Sequence, residues 1–241
     1  QGPLGAAFHT RAMERQLEIM QDMGVNAIRT AHNPSAAELL DLCDRIGILV
    51  WDECFDKWDA TADRIDGTPS HEQHAERHLR SMVLRDRNHP CVFVWSIGNE
   101  IGPGGEGLTP ERVAMMAALD FVAWNSSRHY MPDHERRPDR PIIYSESAAA
   151  VSSRGFYELP LPSNKTDYSA ERQVSSYDYN TAPWADVPDR EFDLMEEDRF
   201  VAGEFVWSGI DYLGEPTPFD NEARSSYFGA VDLCGLPKDR F

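Results

Sequence analysis

The chain has 241 residues, 41% of them apolar and six of them Trp, enough material for a packed core and too much for a disordered chain. Its formal net charge of −18 excludes a general nucleic-acid-binding surface, since a phosphate backbone needs a basic one. The same charge disfavours anionic membranes and anionic substrates unless a local basic pocket reverses the field.

No apolar run nears the roughly 20 residues of a membrane span, and the opening QGPLGAAFHTRAMER shows no signal-peptide pattern. Residues 9–23 put Met13, Leu17, Met20 and Met23 on one helical stripe, stopped by Gly24. A strand is expected over 25–31, a helix from Ser35 to Gly47, and a buried strand over 48–53. A third helix over 71–86 ends at the polar turn Asn88, His89, Pro90, which cannot continue it. The clearest strand follows at 91–99. GPGGEG (102–107) lacks the Lys-Ser/Thr of a phosphate loop and reads as a flexible loop, followed by a short helix around ERVAMMAAL. Three further strands are expected at 119–125, 141–146 and 200–207. Cys43, Cys54, Cys91 and Cys234 are scattered, with no CxxC pair and no His at ligand spacing, so they read as free thiols.

These strands are continuous apolar runs, the pattern of parallel strands covered on both faces. Their alternation with helices gives an α/β fold. Each ends on polar or aromatic residues: Arg29 and His32, Asp52 and Glu53, Asn99 and Glu100, Trp124 and Asn125, Glu146, and Trp207. Chemistry at the C-terminal ends of successive strands is the arrangement of a (β/α)8 TIM-type barrel, whereas a doubly wound sheet would gather it at one switch point. Six strands are found where a closed barrel needs eight; the chain opens directly on a helix and has no room for a further strand between Glu100 and Trp124, so the first and fifth are expected to be missing.

Glycoside cleavage needs two carboxyl groups facing one bond, one as acid and one as nucleophile or base. Glu100, at the end of a very apolar strand with Asn99 beside it, suits the acid. Here the chain resembles the glycoside hydrolase family 2 enzymes, the β-galactosidase group. The resemblance runs through GVNAIRTAHNP (24–34), LLDLCDRIGILVWDE (39–53), RDRNHPCVFVWSIGNE (85–100), IIYSESAAAVSSRG (142–155) and FVAGEFVWSGIDYLGEPTP (200–218). It implies a retaining β-glycosidase acting on terminal β-galactosides through a covalent glycosyl-enzyme, with Glu100 as acid/base and Glu146 as nucleophile. Asn99 matches the residue that binds the sugar 2-hydroxyl. Arg29, His32 and Asn33 match the polar lining of the sugar subsite, and Trp207 matches an aromatic platform. Residues 1–241 would form the catalytic barrel domain, a piece of a larger enzyme with β-sandwich domains upstream. The partner is a carbohydrate substrate; neither nucleic acid nor membrane is expected, and a homo-oligomer is compatible with this reading.

Alternatives stay open at several positions. Glu204, in AGEF on a late strand, competes with Glu146 as nucleophile. Trp124, Asn125 and Trp207 are candidate substrate-binding residues, but either Trp also suits plain core packing. His32 also suits a structural histidine. Asp52 either touches substrate or orients Arg29. Where the family has Tyr after the strand-end Asn, this chain has Ser126, which removes a residue expected to tune the nucleophile. The Glu and His metal ligands that some β-galactosidases place after the Asp-Glu pair are replaced by CFDKWD, so neither metal nor cofactor is expected. Competing readings are an inactive or incomplete barrel fragment, and a β-glucuronidase. The latter needs a basic Asn-x-Lys element where this chain has FDNEARSSYFG.

Overall fold

The computed structural model describes residues 4–5, 7–58, 71–101, 119–126, 128, 130–169 and 171–241. The chain divides into two compact units, Thr10–Ala114, and Met115–Phe241 together with Gln1–His9. The expected loop at 102–107 and short helix around 111–119 fall largely outside the described residues.

The first unit opens with α1 (Thr10–Asp22), whose stripe buries Leu17. β1 (Ala27–Arg29) is shorter than expected. The Val25 amide still closes the helix end on the Met20 carbonyl, and Asn33 already turns back to Thr30. α2 (Ala37–Ile46) buries Leu39, Leu40, Leu42 and Cys43, and ends where Gly47 takes φ +81°, a left-handed cap that favours glycine. β2 (Leu49–Glu53) and β3 (Val92–Ser96) flank α3 (His71–Asp86). The strands form one parallel sheet in the order β1-β2-β3, with Arg29 opposite Trp51 and Glu53 opposite Ser96.

Asp44 on α2 places β3. It accepts from the Cys91 amide at 2.9 Å and lies 2.7 Å from His89 Nδ1, so the polar turn after α3 is bolted to the preceding helix. β2 is buried over Val50–Glu53 as expected of a doubly covered strand. β3 alternates instead, leaving Phe93 and Trp95 42% and 38% exposed, because their face of the strand is not covered as the Val94 face is. Cys43, Cys54 and Cys91 are buried free thiols, and Cys234 is an exposed one. Burial pushes the Cys43 thiol up to about 12 and the Cys54 thiol up to about 11, so both stay protonated and inert.

The second unit carries β4 (Val122–Asn125), α4 (Met131–Arg136), β5 (Ile142–Ser147), α5 (Pro188–Glu197) and β6 (Val201–Val206). Its sheet is again parallel, in the order β4-β5-β6. Neither helix was expected. α4 is too short for a periodic stripe, and α5 has start signals, Pro188 and the acids Asp189 and Glu191, but few apolar residues. Two buried polar contacts seat them. Tyr144 donates to Glu191 at 2.9 Å, and Tyr130 donates to Asp198, which also receives the Arg128 guanidinium. The irregular chain after β6 is pinned by Lys238, which is buried with Asp211 at 2.7 Å and donates to the Ser152 carbonyl at 2.8 Å.

The six strands of the described residues thus fall into two three-stranded parallel sheets. Among the described residues no helix is long and apolar enough to cross a membrane.

Asp52 is wholly buried on the helix side of β2. Burial first, then the neighbouring Asp86 carboxylate, push its carboxyl up to about 7. An unfolded Asp ionises near about 3.9. Through the interval from about pH 4 to 7 the unfolded chain therefore releases a proton that the folded one keeps, and stability falls as pH rises. Asp52→Asn, which never ionises, should gain stability that is smallest near about pH 4 and levels off above about pH 7, on the order of 1–3 kcal/mol. Thermal melts across that range test this; a gain independent of pH would contradict it.

Candidate active site

Two clusters of candidate residues lie at strand ends, one in each unit. In the first unit Glu53 is the hub. Strand residues two apart share a face, and Arg29 sits opposite Trp51, so Glu53 points to the Arg29 side of the sheet. Arg29 donates to both its oxygens, Nε to Oε2 at 3.1 Å and Nη2 to Oε1 at 3.0 Å. The pair is deeply buried, at 6% and 1% side-chain exposure. His32 Nδ1 lies 2.8 Å from Oε1, and Ser96 donates to Oε2 at 2.9 Å. The Glu53 amide is taken by Thr30 Oγ1 at 3.0 Å, which extends the ladder past the end of β1.

Asn99 joins this cluster from the end of β3. Its Oδ1 accepts from Arg29 at 2.8 Å, and its Nδ2 donates to Asp56 at 3.0 Å. The expected strand to residue 99 stops at Ser96, and the next residues curl over the sheet edge. Gly98 permits the curl. A Cβ there would meet Trp58 Nε1 at 2.7 Å and Ile101 Cγ2 at 2.8 Å. Trp58 donates to the Ile97 carbonyl at 3.0 Å, and the Asn99 amide donates to Phe55 O at 3.1 Å. Glu100 then stands outward with a left-handed φ of +48°. Its carboxylate is 46% exposed and takes an ion pair from Lys57, Nζ to Oε2 at 2.8 Å.

Two expected members stand apart. Asp52 points to the opposite face from Arg29 and Glu53, against Asp86, because adjacent strand residues alternate. Asn33 is exposed just beyond the turn. It lines a cavity of about 410 Å³ with Asp56, His74, His78 and Arg85, not the Arg29–Glu53 cluster.

In the second unit Glu146, half-buried at the end of β5, accepts from Asn125 Nδ2 at 3.3 Å. Asn125 is itself held by Ser145, Oγ to Oδ1 at 2.7 Å. Ser145 therefore acts through Asn125, and the buried Ser147 lies on the other face of the strand from Glu146. The residues after the strand ends, Ser126 and Ala148, take left-handed φ of +54° and +48°, as Glu100 does. Non-glycine residues held there cost energy, and they concentrate at functional sites.

Glu204 pairs in register with Tyr144, two residues before Glu146, so it lies deeper along the sheet. Burial pushes its carboxyl up, with Glu191 adding to the rise. Trp207 continues from β6, its amide on the Ser147 carbonyl at 2.8 Å. Its indole Nε1 donates to Tyr212 Oη at 3.1 Å, and Tyr212 donates in turn to Glu215. Trp124, opposite Tyr144, packs against the core of Tyr130, Ile142 and Tyr144.

Polar and acidic side chains at the C-terminal ends of several successive parallel strands, rather than at one switch point, are the arrangement of TIM-barrel α/β proteins. The family model for glycosyl hydrolases family 2, TIM barrel domain, matches residues 3–120. The chain is 36% identical, over an alignment 307 positions long with its gaps, to the β-galactosidase BoGH2A of Bacteroides ovatus, covering 99% of this chain and 36% of that one. A putative β-glucuronidase of Formosa agariphila is 30% identical, covering 100% of this chain and 27% of that one. Among solved structures, a β-glycosidase from Bacteroides vulgatus superposes with a TM-score of 0.78 at 26% identity, covering 99% of this chain and 36% of that chain. The chain belongs to glycosyl hydrolases family 2, and its α/β architecture, with two three-stranded parallel sheets, is part of that family's TIM-barrel domain and not a closed barrel. It spans about a third of the length of these curated relatives and of a β-galactosidase of Thermoanaerobacter pseudethanolicus.

Glu53 was named from the sequence only as a strand-end residue and given no role in the site. The signal was partial, since it lies at the same strand end as Asp52, but only the register of β1 on β2 shows that it shares the Arg29 face. Glu53→Gln should leave the buried Arg29 charge without its counter-charge and cost about 3–5 kcal/mol. Combining it with Arg29→Met should recover much of that loss in a double-mutant cycle. Urea unfolding tests this, and a single-mutant loss below about 1 kcal/mol would contradict the buried-pair account.

Proposed function

We propose that residues 1–241 form the catalytic-barrel part of a larger retaining β-glycosidase that hydrolyses terminal β-galactosides, with Glu100 as acid/base and Glu146 as nucleophile. The observation that carries this reading is the contrast between the carboxyl groups. Glu100 and Glu146 stand at strand ends, each beside an Asn, while Glu204 lies deeper with its charge disfavoured by burial.

In the first step a Glu146 oxygen attacks the anomeric carbon. The bond to the leaving oxygen breaks, and that oxygen takes the Glu100 proton. In the second step water attacks the same carbon, Glu100 takes a proton from the water, and Glu146 leaves as a carboxylate. Asn99, held between Arg29 and Asp56, keeps a fixed amide where a 2-hydroxyl contact can strengthen in the transition state. Trp207, steadied by Tyr212, offers a ring face to the apolar side of a sugar.

Relatives named β-galactosidase favour the galactoside, and relatives named β-glucuronidase supply the second reading. A uronate needs a cationic partner. The stretch from Phe219 to Gly229 offers Asp220 and Glu222 against one Arg, with Glu222 paired to Arg172 at 2.8 Å, which favours the neutral sugar.

In the protein carrying this chain, Glu100→Gln should lower kcat on alkyl β-galactosides by about 10²–10⁴-fold. On activated aryl β-galactosides, whose leaving group needs little protonation, the loss should be about tenfold or less. Equal loss on both would remove Glu100 from the acid role. Turnover of aryl β-glucuronides above that of the galactosides would replace the galactoside by the uronide.

A further inference from the structure

We infer that Lys57 is a positioning residue for the acid/base, its ammonium holding Oε2 of Glu100 and leaving Oε1 as the oxygen that carries the catalytic proton. This rests on Glu100 being the acid/base. Lys57 Nζ lies 2.8 Å from Oε2, and 3.6 Å from Asp56 on its other side. Half-burial opposes its charge, but Glu100 and Asp56 together raise its pKa, so it remains an ammonium. An ammonium has three donors and no acceptor. It can therefore donate to Oε2 but cannot take up the proton that Glu100 transfers.

The loop that delivers Lys57 is fastened to the segment that bears Glu100. Phe55 O accepts the Asn99 amide, Asp56 accepts from the Asn99 side chain, and Trp58 donates to the Ile97 carbonyl. Residues on both sides of Lys57 are thus tied to residues 97–99, immediately before Glu100. Gly98 allows the close approach of Trp58, which no other residue could match without displacing it. Glu100 needs such a tether. It stands outward from a left-handed backbone position with 46% of its side chain exposed, where a glutamate otherwise samples several rotamers.

Both chemical steps use the same contact. In the first, the proton leaves Oε1 for the departing glycosidic oxygen, and the carboxylate that remains is already paired. In the second, Oε1 takes a proton from the attacking water while Oε2 stays on Lys57. The ammonium gains and loses nothing in either step. As a stability element the pair counts for little, because half-exposed ion pairs generally do. Its effect should be read in turnover.

The test compares Lys57→Met, which keeps the stem and loses the charge, with Lys57→Arg, which keeps N–H donors, in the protein carrying this chain. Lys57→Met should melt with the parent and keep its KM. Its kcat on alkyl β-galactosides should fall about 10–100-fold, and its loss on activated aryl galactosides should be several-fold smaller. Lys57→Arg should recover most of the turnover. Equal losses on the two substrates, or an Arg variant as impaired as the Met variant, would overturn the positioning role. Glu100→Gln run alongside separates the failures. If it shows the leaving-group dependence and Lys57→Met does not, only the role of Lys57 falls. If it shows none, the acid/base reading falls and the inference with it.

Discussion

The Arg29–Glu53 ion pair is the contact on which the first unit's strand-end cluster depends. Two opposite charges, both nearly inaccessible, are tolerable only if the remaining donors and acceptors are matched. Here they are. Glu53 receives Arg29 through two nitrogens, and also Ser96 and His32, so each strand of the sheet, or the turn after it, contributes a partner. Arg29 spends a further donor on Asn99, which fixes the side-chain amide of the residue immediately before Glu100. A charge pair that joins β1 to β2 therefore also sets the geometry at the end of β3.

The second unit reaches a comparable result with neutral groups. Ser145 holds Asn125 and Asn125 donates to Glu146, a short relay across β4 and β5. What separates Glu146 from Glu204 is depth along the sheet. Two residues of register put Glu204 where burial penalises its charge, and they leave Glu146 at the mouth of the strand. The tyrosine that the family places after the strand-end Asn is Ser126 here, held in a left-handed conformation with its amide on the Glu146 carbonyl. A phenol does stand near the site, that of Tyr212, but its hydroxyl is engaged by Trp207 and Glu215.

Much of the fold was legible because helix stripes and apolar strands carry strong local signals. α3 falls over the residues its pattern gives, and all six strands lie within or near their expected spans. Strand ends were less legible. The apolar run of β3 continues to Ile97, but the turn is set by Gly98 meeting Trp58 from a different loop, a contact that no local pattern encodes. The site followed the same division. Arg29, Asn99 and Glu146 carry motif-level signals, and they sit in polar clusters at strand ends. Asp52 and Trp124 were chosen as strand-end residues, but Asp52 stands against Asp86 and Trp124 packs against the cluster of Tyr130, Ile142 and Tyr144. The choice between Asp52 and Glu53 turns on the register of β1 against β2, which local pattern does not encode. The ion pair of Lys57 with Glu100 had no sequence signal, since it depends on how one loop lies against another.

Covalent trapping tests both the assignment of Glu146 and the retaining route. Treating the protein that carries this chain with an activated 2-fluoro-β-galactoside, followed by peptide mapping, should give a stable adduct of one sugar on the peptide containing Glu146. A label on the peptide containing Glu204 with Glu146 unmodified would contradict the nucleophile, and turnover with inversion and no adduct would contradict the covalent mechanism itself.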